Sequence, residues 1–243
     1  MKILIIPDIH QKIALLENIL NKAEKDVDLT IFLGDYFDDF EDNAYEVEAM
    51  AIWLKKNLYK DKRIFLMGNH DFHYRVPPYT LYCSGYGGWK HEIINTIISE
   101  VDWKQLKFFH NVDNYWFSHA GITDHWFSHP VHGLSVFSIQ NNLKQVEAAL
   151  KNRIYAGLGA VWAADRYRGG MHKKGGCLWN DMRNSEYIPG ITQVIGHTPL
   201  SIPIIDKNEE QDAINIFCDT HLQYYLILDT ETKNVEIMEN ILA

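Results

Sequence analysis

Residues 2–10 read KILIIPDIH, an unbroken aliphatic run that leads directly into Asp8 and His10. A continuous run of this kind is typical of a strand that is buried on both faces, as in a parallel sheet. Two further stretches repeat the arrangement of a short apolar run that ends at polar residues: 29–35, LTIFLGD, and 64–71, IFLMGNHD. Together they predict strands at 2–6, 29–33 and 64–67.

Helical periodicity separates these three strands. Apolar residues recur at helical spacing through Ile13, Leu16 and Leu20, and again through Val47 and Leu54. This spacing predicts amphipathic helices over 12–25 and 44–58. Alternating strands and helices indicate a parallel sheet with helices packed on it. In such sheets ligands bind beyond the carboxyl ends of the strands, where the polar residues of this sequence lie.

The rest of the chain predicts further strands and helices without a clear linker. Residues 72–90 contain Pro77-Pro78 and several glycines, which indicate an irregular, aromatic segment that either lines a substrate site or packs in the core. No repeat or low-complexity tract is present, so we expect one domain over residues 1–243 with two sheets. The other predicted elements are helices near 89–99 and 139–151, paired strands at 106–109 and 115–118, and strands at 192–195, 213–217, 223–228 and 234–238.

Composition limits the possible partners. The formal net charge is −9, which disfavours generic nucleic-acid binding because phosphate backbones attract positive surfaces. The three cysteines, Cys83, Cys177 and Cys218, form no CxxC pair, which favours a reducing compartment. No stretch is long and apolar enough for a signal peptide or a membrane span. We therefore expect a soluble cytoplasmic protein without a membrane partner.

Five segments that follow predicted strands carry side chains able to bind metal. Carboxylates, imidazoles and one amide suit divalent ions such as Mn, Fe or Zn, and the lack of thiolates disfavours a structural zinc site. A carboxylate that contacts two ions can hold them ~3.5–4 Å apart, as in two-metal phosphatases. The segments are Asp8-x-His10, Gly34-Asp35-x-x-Asp38, Gly68-Asn69-His70-Asp71, Ser118-His119 and Gly196-His197.

Each segment also has an ordinary structural explanation. Asp8 and His10 could be a solvated or capping pair, and Asp38 could cap the following helix. Asn69 could occupy a left-handed turn position, and His119 could be a buried histidine with satisfied hydrogen bonds. All five strand ends would need such a coincidence at once, so the metal interpretation is favoured.

The motifs PDIH, GDYFDD, GNHD, SHAG and GHT, in this order and spacing, resemble the calcineurin-like metallophosphoesterase superfamily. The resemblance covers residues 8 to about 220. It is closest to the phosphoprotein-phosphatase branch, which includes diadenosine tetraphosphatase-like bacterial enzymes. It implies an α/β fold, a four-layer α/β/β/α sandwich of two mixed sheets flanked by helices.

The resemblance also implies two divalent metal ions, with Mn²⁺ expected first and Fe or Zn as alternatives. Many superfamily members read GHxH, but Pro199 replaces the second His here, so the first ion would keep three protein ligands. Water or substrate would complete that ion's coordination. The implied ligands are Asp8 and His10 for the first ion, Asn69, His119 and His197 for the second, and Asp35 for both.

His70 and Asp38 take catalytic roles under the same resemblance. His70 would act as general acid near the leaving-group oxygen, and Asp38 would orient it. A neighbouring carboxylate fixes the imidazole tautomer and raises its pKa, in agreement with this pairing. The nucleophile would be a water or hydroxide that bridges the two metal ions.

One departure from the branch concerns phosphate binding. The branch usually reads GDxxDRG, but Asp39 and Phe40 stand where the Arg and the second Gly would be. A carboxylate at that position repels phosphate, so another cation is expected to bind it. Arg183 is the first candidate because LWNDMR at 178–183 resembles the family's LLWSDP segment. The weaker candidates are Arg75, Arg166, Arg168, Lys173 and Lys174.

The expected activity is hydrolysis of phosphate monoesters, either on a phosphoprotein or on a nucleotide-type small molecule. The alternatives are hydrolysis of dinucleoside polyphosphates or cyclic phosphodiesters, and a non-catalytic scaffold. A scaffold usually lacks a metal ligand or the catalytic His, whereas this chain keeps all six ligands and His70. Asp219-Thr220-His221 resembles the IDTG segment of the bacterial branch, with His221 in place of Gly.

Overall fold

The computed structural model describes residues 1–76, 82–127 and 162–242. Ten strands and six α-helices lie within these residues. The strands are β1 (Lys2–Ile6), β2 (Leu29–Phe32), β3 (Arg63–Phe65), β4 (Phe109–Val112), β5 (Tyr115–Ser118), β6 (Thr192–Ile195), β7 (Ile204–Asn208), β8 (Ala213–Phe217), β9 (Tyr224–Asp229) and β10 (Asn234–Glu239). The helices are α1 (Ile13–Ala23), α2 (Ala44–Asn57), α3 (Asn69–Arg75), α4 (Gly88–Ile97), α5 (Glu100–Trp103) and α6 (Asp124–Phe127).

The strands form two mixed five-stranded sheets. The first has the order β10-β9-β1-β2-β3, in which β1, β2 and β3 are parallel and β9 and β10 are antiparallel to their neighbours. The second has the order β4-β5-β6-β8-β7, with β5, β6 and β8 parallel and antiparallel strands at both edges. Each sheet therefore has a parallel centre whose strands end at the same side.

The alternating faces of β1 explain its unbroken aliphatic sequence. Ile3 and Ile5 belong to the core between the two sheets, whereas Leu4 and Ile6 belong to the core that includes buried residues of α1 and α2. All four side chains are fully buried. Burying an aliphatic side chain contributes about 1.5–3 kcal/mol, so both faces of β1 stabilise the fold. The predicted α/β/β/α sandwich of two mixed sheets flanked by helices is confirmed.

The start of α2 settles one alternative for Asp38. Asn43 caps this helix: its side chain accepts hydrogen bonds from the backbone N–H groups of Tyr45 and Glu46, and Glu46 bonds back to the Asn43 N–H. Such a capping box is worth about 1 kcal/mol. Asp38 is therefore not the cap of this helix and keeps its carboxylate for other contacts.

Two predictions for secondary structure are wrong in detail, and one strand was missed. The strand expected at 106–109 lies at Phe109–Val112, because Lys107 instead exchanges backbone hydrogen bonds with Phe65 and Met67 at the end of β3. The segment 72–90, expected to be irregular, begins within α3 and ends within α4. Strand β7 was not expected. The helix predicted near 139–151 lies outside the described residues.

The remaining expectations for the chain as a whole have different outcomes. Strands β1, β2, β5, β6, β8, β9 and β10 and helices α1, α2 and α4 lie where the sequence predicts them, within a few residues. The single domain over 1–243 stays a prediction. Among the helices that the structure describes, none has the length and apolar character needed to cross a bilayer.

Candidate metal centre

The segments that follow β1, β2, β3, β5 and β6 meet at one place, and all six predicted metal ligands lie there. Their ligand atoms form two groups, within each of which the atoms lie no more than 4.8 Å apart. Both groups contain Asp35. The first group is Asp8, His10 and Asp35, and the second is Asp35, His119 and His197. Asn69 adjoins the second group, because its Oδ1 lies 2.8 Å from His119 Nε2.

Backbone carbonyls fix the tautomers of two of these histidines. His119 Nδ1 donates to the Leu33 carbonyl at 2.9 Å, and His10 Nδ1 donates to the Asp38 carbonyl at 2.8 Å. A neutral imidazole carries one N–H, so Nε2 of each ring keeps a lone pair. Both Nε2 atoms approach Asp35 Oδ2, at 3.4 Å from His119 and 3.8 Å from His10. Asp35 is therefore placed to bind two ions at once.

Three ligand atoms crowd together in the second group: His119 Nε2 lies 2.8 Å from Asn69 Oδ1 and 3.1 Å from His197 Nδ1. Asn69 Nδ2 donates to Cys83 Sγ, which directs the amide oxygen toward His119 Nε2. The ring nitrogen Nε2 of His197 is buried and has no hydrogen-bond partner among the described residues. Acceptor atoms crowded in this way repel one another, and a buried polar atom without a partner is costly. A cation bound among the crowded atoms removes their repulsion, so the residues present fit a metal ion.

Burial and mutual repulsion set the pKa values of the ligands. Burial, with the nearby charge of Asp219, raises the pKa of Asp8 well above its usual value, and burial with Asp8 does the same for the pKa of Asp35. Burial lowers the pKa of both His10 and His119 to about 3. The imidazoles are thus unprotonated at neutral pH, as metal ligands must be. Divalent cations would offset the repulsion among the carboxylates.

Glycine is required before two of the ligands because carboxylates approach the backbone there. A Cβ atom on Gly68 would lie 2.0 Å from Asp35 Oδ1, and one on Gly196 would lie 2.3 Å from Asp8 Oδ1. Any larger residue would push these carboxylates aside. The glycines in the GNHD and GHT motifs therefore leave room for the carboxylates of Asp35 and Asp8.

Asp71 holds two of the strand-end segments together. Its carboxylate accepts three backbone hydrogen bonds at 2.8 Å, from Asp35 and Tyr36 after β2 and from Gly68 after β3. Asp35 in turn accepts a bond from the backbone N–H of His70 at 2.9 Å. Asp71 is fully buried. Its role is to position Asp35 and Asn69, as a loop-stabilising residue.

The predicted pair of His70 and Asp38 is present, with His70 Nδ1 2.9 Å from Asp38 Oδ2. Burial alone would raise the pKa of Asp38, but the hydrogen bonds from His70 and His73 outweigh it and hold that pKa well below its ordinary value. The same carboxylate also accepts a hydrogen bond from the Tyr74 hydroxyl and lies 3.3 Å from Lys90 Nζ. Asp38 is therefore ionised and fixed in orientation.

His73 and Lys90 are parts of this arrangement that the sequence did not reveal. His73 Nδ1 accepts from the Cys83 N–H, so its Nε2 carries the proton and lies 2.9 Å from Asp38 Oδ2. Lys90 also contacts Asp42 at 2.6 Å. Lys90 is 52 residues from Asp38 in sequence, and no motif signals such a contact. A buried lysine at the start of a helix offers a weak clue, since it requires a carboxylate partner.

A cavity of about 590 Å³ opens over this centre. His70, Asp38 and four of the six predicted ligands line it. Arg183, the expected phosphate-binding residue, does not. Its guanidinium forms two hydrogen bonds with Asp181, at 2.7 and 3.1 Å, and lies 4.0 Å from the ring centroid of Tyr167. These contacts hold the guanidinium against Asp181 and Tyr167, and phosphate binding by Arg183 stays a prediction.

Arg168 and Lys12 are the cations that line the cavity within the described part of the chain. Arg168 contacts Asp181 at 2.9 Å and donates to the His197 carbonyl and the Thr198 hydroxyl. Lys12 Nζ lies 3.1 Å from the carboxylate of Asp39. Asp39, which replaces the usual Arg, is thus paired with a cation. The positive charge of Lys12 offsets the repulsion between the Asp39 carboxylate and a phosphate group.

Asp219 is a further buried carboxylate at the cavity. One oxygen accepts from the backbone N–H of His221 at 3.1 Å, and the other, Oδ2, has no hydrogen-bond partner among the described residues. Burial raises the pKa of Asp219. The His221 ring lies 6.1 Å from that of His10. The resemblance to the IDTG segment marked this region, but it did not indicate which contacts the two side chains make.

Other candidate groups lie apart from the cavity. Lys174 bonds to the Asn184 carbonyl and Glu186, and Arg75 bonds to Glu100.

A model of the calcineurin-like phosphoesterase family matches residues 1–201. The chain therefore belongs to this family. Its class is that of hydrolases acting on phosphate esters with the help of divalent metal ions, in agreement with the groups of metal-binding side chains. A sequence comparison with curated proteins gives no match.

Solved structures with the same fold include two enzymes. A metallophosphoesterase from Sphaerobacter thermophilus is 15% identical, covering 100% of this chain and 89% of that one, with a TM-score of 0.50. A protein serine/threonine phosphatase from Saccharomyces cerevisiae, with similarity to human phosphatase PP5, is 13% identical, covering 100% of this chain and 81% of that one, with a TM-score of 0.51. At these identities the similarity establishes the fold alone.

Proposed function

We propose that the protein is a dinuclear phosphatase that hydrolyses phosphate monoesters. The observation that carries this proposal is the sharing of Asp35 by two adjacent groups of ligand atoms. One carboxylate with an imidazole Nε2 on either side suits a bridge between two cations. We further propose that the chain belongs to the phosphoprotein-phosphatase-like branch. The reason is that Pro199 stands two positions after His197, where many members of the superfamily carry a second His.

Six residues would hold the ions, with Mn²⁺ proposed first because the donor set is oxygen and imidazole nitrogen. Two divalent ions held there would supply Lewis acidity, which activates water and offsets charge on the phosphoryl oxygens. The proposed ligands are Asp8 and His10 for one ion, Asn69, His119 and His197 for the other, and Asp35 for both.

His70 would deliver the proton that the leaving group needs when the phosphorus–oxygen ester bond breaks. Its Nδ1–H is directed at Asp38, so the opposite nitrogen, Nε2, is the one available to the substrate in the cavity. Asp38 fixes the orientation of the His70 ring through this hydrogen bond. His73, Tyr74 and Lys90 hold the carboxylate of Asp38 in this orientation.

Arg168 is our candidate for the phosphate-binding cation. It lines the cavity beside His197, and its guanidinium is held by Asp181 and Thr198. A guanidinium presents a planar set of donors that matches phosphate oxygens. Lys12 is a second cation at the opening, where it would balance Asp39 and the charge of the substrate.

Metal content and turnover together test the proposal. Purified protein should hold two divalent ions per chain, and hydrolysis of p-nitrophenyl phosphate should require added Mn²⁺. His119→Ala should lose both, whereas His172→Ala, an exposed His outside the cavity, should change neither. Wild-type protein that binds no divalent ion and shows no turnover would refute the proposal.

The role of His70 has its own test. A general acid contributes roughly 10²–10⁴-fold to the rate, and it matters most when the leaving group is a poor one. His70→Ala should therefore slow hydrolysis of an alkyl phosphate far more than that of p-nitrophenyl phosphate. Equal losses for the two substrates would contradict the assignment.

The substrate would be a phosphorylated small molecule or a phosphoprotein, without a nucleic-acid or membrane partner. Dinucleoside polyphosphates and cyclic phosphodiesters rank after monoesters. We also propose a cytoplasmic location. It agrees with the three cysteines, which are buried and form no disulfide bonds with one another.

A further inference from the structure

Three exposed aromatic side chains surround the opening of the catalytic cavity. Phe40, Tyr82 and Tyr167 line the same cavity as His70 and are 85%, 48% and 53% exposed, respectively. Single exposed apolar residues are common on protein surfaces, but a group of them around one opening marks a binding site. We call these three residues the aromatic rim.

Tyr82 is held by a ladder of rings that reaches down to the catalytic pair. Its ring lies 4.2 Å from that of Tyr86, and Tyr86 stacks on Tyr74 at 5.3 Å with an angle of 21° between the rings. The hydroxyl of Tyr74 donates to Asp38. Tyr82 is therefore fixed relative to His70, although nearly half of its surface remains exposed.

Tyr167 is braced from a different part of the chain. The Arg183 guanidinium lies 4.0 Å from its ring centroid, and Arg183 is itself held by two hydrogen bonds to Asp181. A cation over the face of an aromatic ring attracts it electrostatically, which helps to hold the ring in place. The residue first expected to bind phosphate thus orients one wall of the rim.

Phe40 occupies the position at which the related motif carries Gly. It is the most exposed ring of the rim, and it follows Asp39, whose carboxylate is tied to Lys12. Deeper in the cavity wall, the buried Nε1–H of Trp179 has no hydrogen-bond partner among the described residues. It is a donor that a ligand oxygen can satisfy.

The cavity therefore combines two chemistries at different depths. Its floor carries the carboxylates and imidazoles proposed to hold metal ions, and its opening carries uncharged flat rings. A ligand that fits both has a phosphate ester at one end and a planar aromatic group at the other. Any nucleic-acid base can stack on an aromatic side chain, because every base has a flat π-face. The net charge of −9 argues against a polynucleotide.

We propose that Phe40, Tyr82 and Tyr167 form a stacking subsite for the base of a nucleoside phosphate. This inference rests on the proposed phosphatase function for the chemical step, and it narrows the substrate to a nucleotide in preference to a phosphoprotein. The cavity volume of about 590 Å³ lies within the range of small-molecule sites.

The first experiment compares adenosine 5′-monophosphate with ribose 5-phosphate, which has the same phosphate ester but no base. With Mn²⁺ present, kcat/KM should be at least about tenfold higher for the nucleotide. Phe40→Ala and Tyr82→Ala should each reduce this ratio by about fivefold or more. Fivefold is roughly the smallest effect expected when one aromatic ring that stacks on a base is removed. Tyr45→Ala is the matched control, because Tyr45 is 82% exposed and does not line the cavity.

The second experiment measures binding without catalysis. Saturation-transfer NMR should detect adenosine bound to wild-type protein without added metal, and the signal should weaken in the rim variants but not in Tyr45→Ala. If no phosphate ester is hydrolysed while this pattern holds, the phosphatase proposal fails and the subsite stands. A nucleotide-to-ribose-phosphate ratio near one, ratios unchanged in the rim variants, or a higher kcat/KM for a phosphopeptide would overturn the subsite.

Discussion

Asp71→Asn changes a buried carboxylate that ties the segment after β2 to the segment after β3. The native Oδ2 accepts from the N–H groups of Asp35 and Gly68, and Oδ1 accepts from that of Tyr36, all at 2.8 Å. Asparagine has a single acceptor oxygen. Either orientation of its amide therefore turns an NH₂ group toward at least one buried N–H donor.

The cost follows from counting these bonds. In the better orientation the amide oxygen still accepts hydrogen bonds from the N–H groups of Asp35 and Gly68. The N–H group of Tyr36 then loses its acceptor. A buried donor left unpaired costs about 1–3 kcal/mol, and the two bonds that remain lose the extra strength of a charged acceptor. Burial raises the pKa of Asp71 to about 6, so removing its charge also relieves part of the cost of burying it. We therefore expect a net loss of about 1–3 kcal/mol in the free energy of unfolding. For a chain of this size that corresponds to a fall in Tm of roughly 2–12 °C.

Urea unfolding followed by tryptophan fluorescence measures this loss as a shift in midpoint at constant slope. Asp28→Asn is the matched control, because Asp28 accepts one backbone bond, from Lys2 at 2.8 Å, in an exposed setting. It should cost less than about 1 kcal/mol. A loss below about 1 kcal/mol for Asp71→Asn would show that the three bonds do not hold the two segments together.

Three further predictions concern charge and metal. Lys90→Met should lower kcat by roughly tenfold with little change in KM, measured on an alkyl phosphate, because Asp38 and Asp42 lose the cation between them. Burial, with Lys107 nearby, lowers the pKa of His110 to about 4. In the unfolded chain His110 is protonated as the pH falls below about 6.5, whereas in the folded chain it is protonated only near pH 4. The free energy of unfolding therefore falls as the pH is lowered from about 6.5 to about 4. Between pH 7 and pH 4.5 the free energy of unfolding should therefore fall by about 2 kcal/mol less in His110→Gln than in the wild-type protein. Urea unfolding of both proteins at the two pH values measures this difference. Mn²⁺ at a hundred times its Kd should stabilise the protein by about 2.7 kcal/mol in a thermal-shift assay, and the effect should vanish in His119→Ala.

The parts of the fold that could be predicted are those with strong local signals. Strand β1 is buried on both faces from Ile3 to Ile6, so these four residues are all aliphatic and predict the strand. The five residues of β7, IIDKN, are all partly or fully exposed at a sheet edge and show no alternation. An edge strand pairs on one side only, and its side chains need not be apolar. Pattern analysis therefore had no basis for finding it.

The metal centre was predictable for a topological reason. Parallel strands end at the same side of a sheet, so polar residues at those ends meet wherever the sheet forms. The contacts of Lys90 and His73 with Asp38 have a different origin, since they depend on how α3 and α4 pack. Arg168 lines the cavity and Arg183 does not, and this difference likewise depends on packing around their shared partner, Asp181.

The backbone at the centre supports the functional assignment independently of side-chain identity. His10, Asp35, Asp38 and His197 have φ values of 44°, 52°, 67° and 65°. The left-handed region costs a non-glycine residue roughly 1–2 kcal/mol, and such residues concentrate at functional sites. Hydrogen bonds hold two of them in place: Asp71 accepts from the Asp35 N–H, and Asp8 accepts from the His197 N–H at 3.0 and 3.1 Å. A fold without a ligand to bind gains nothing from four strained residues at one edge. The same four side chains line the cavity, so the strain lies where a bound cation and substrate can offset it.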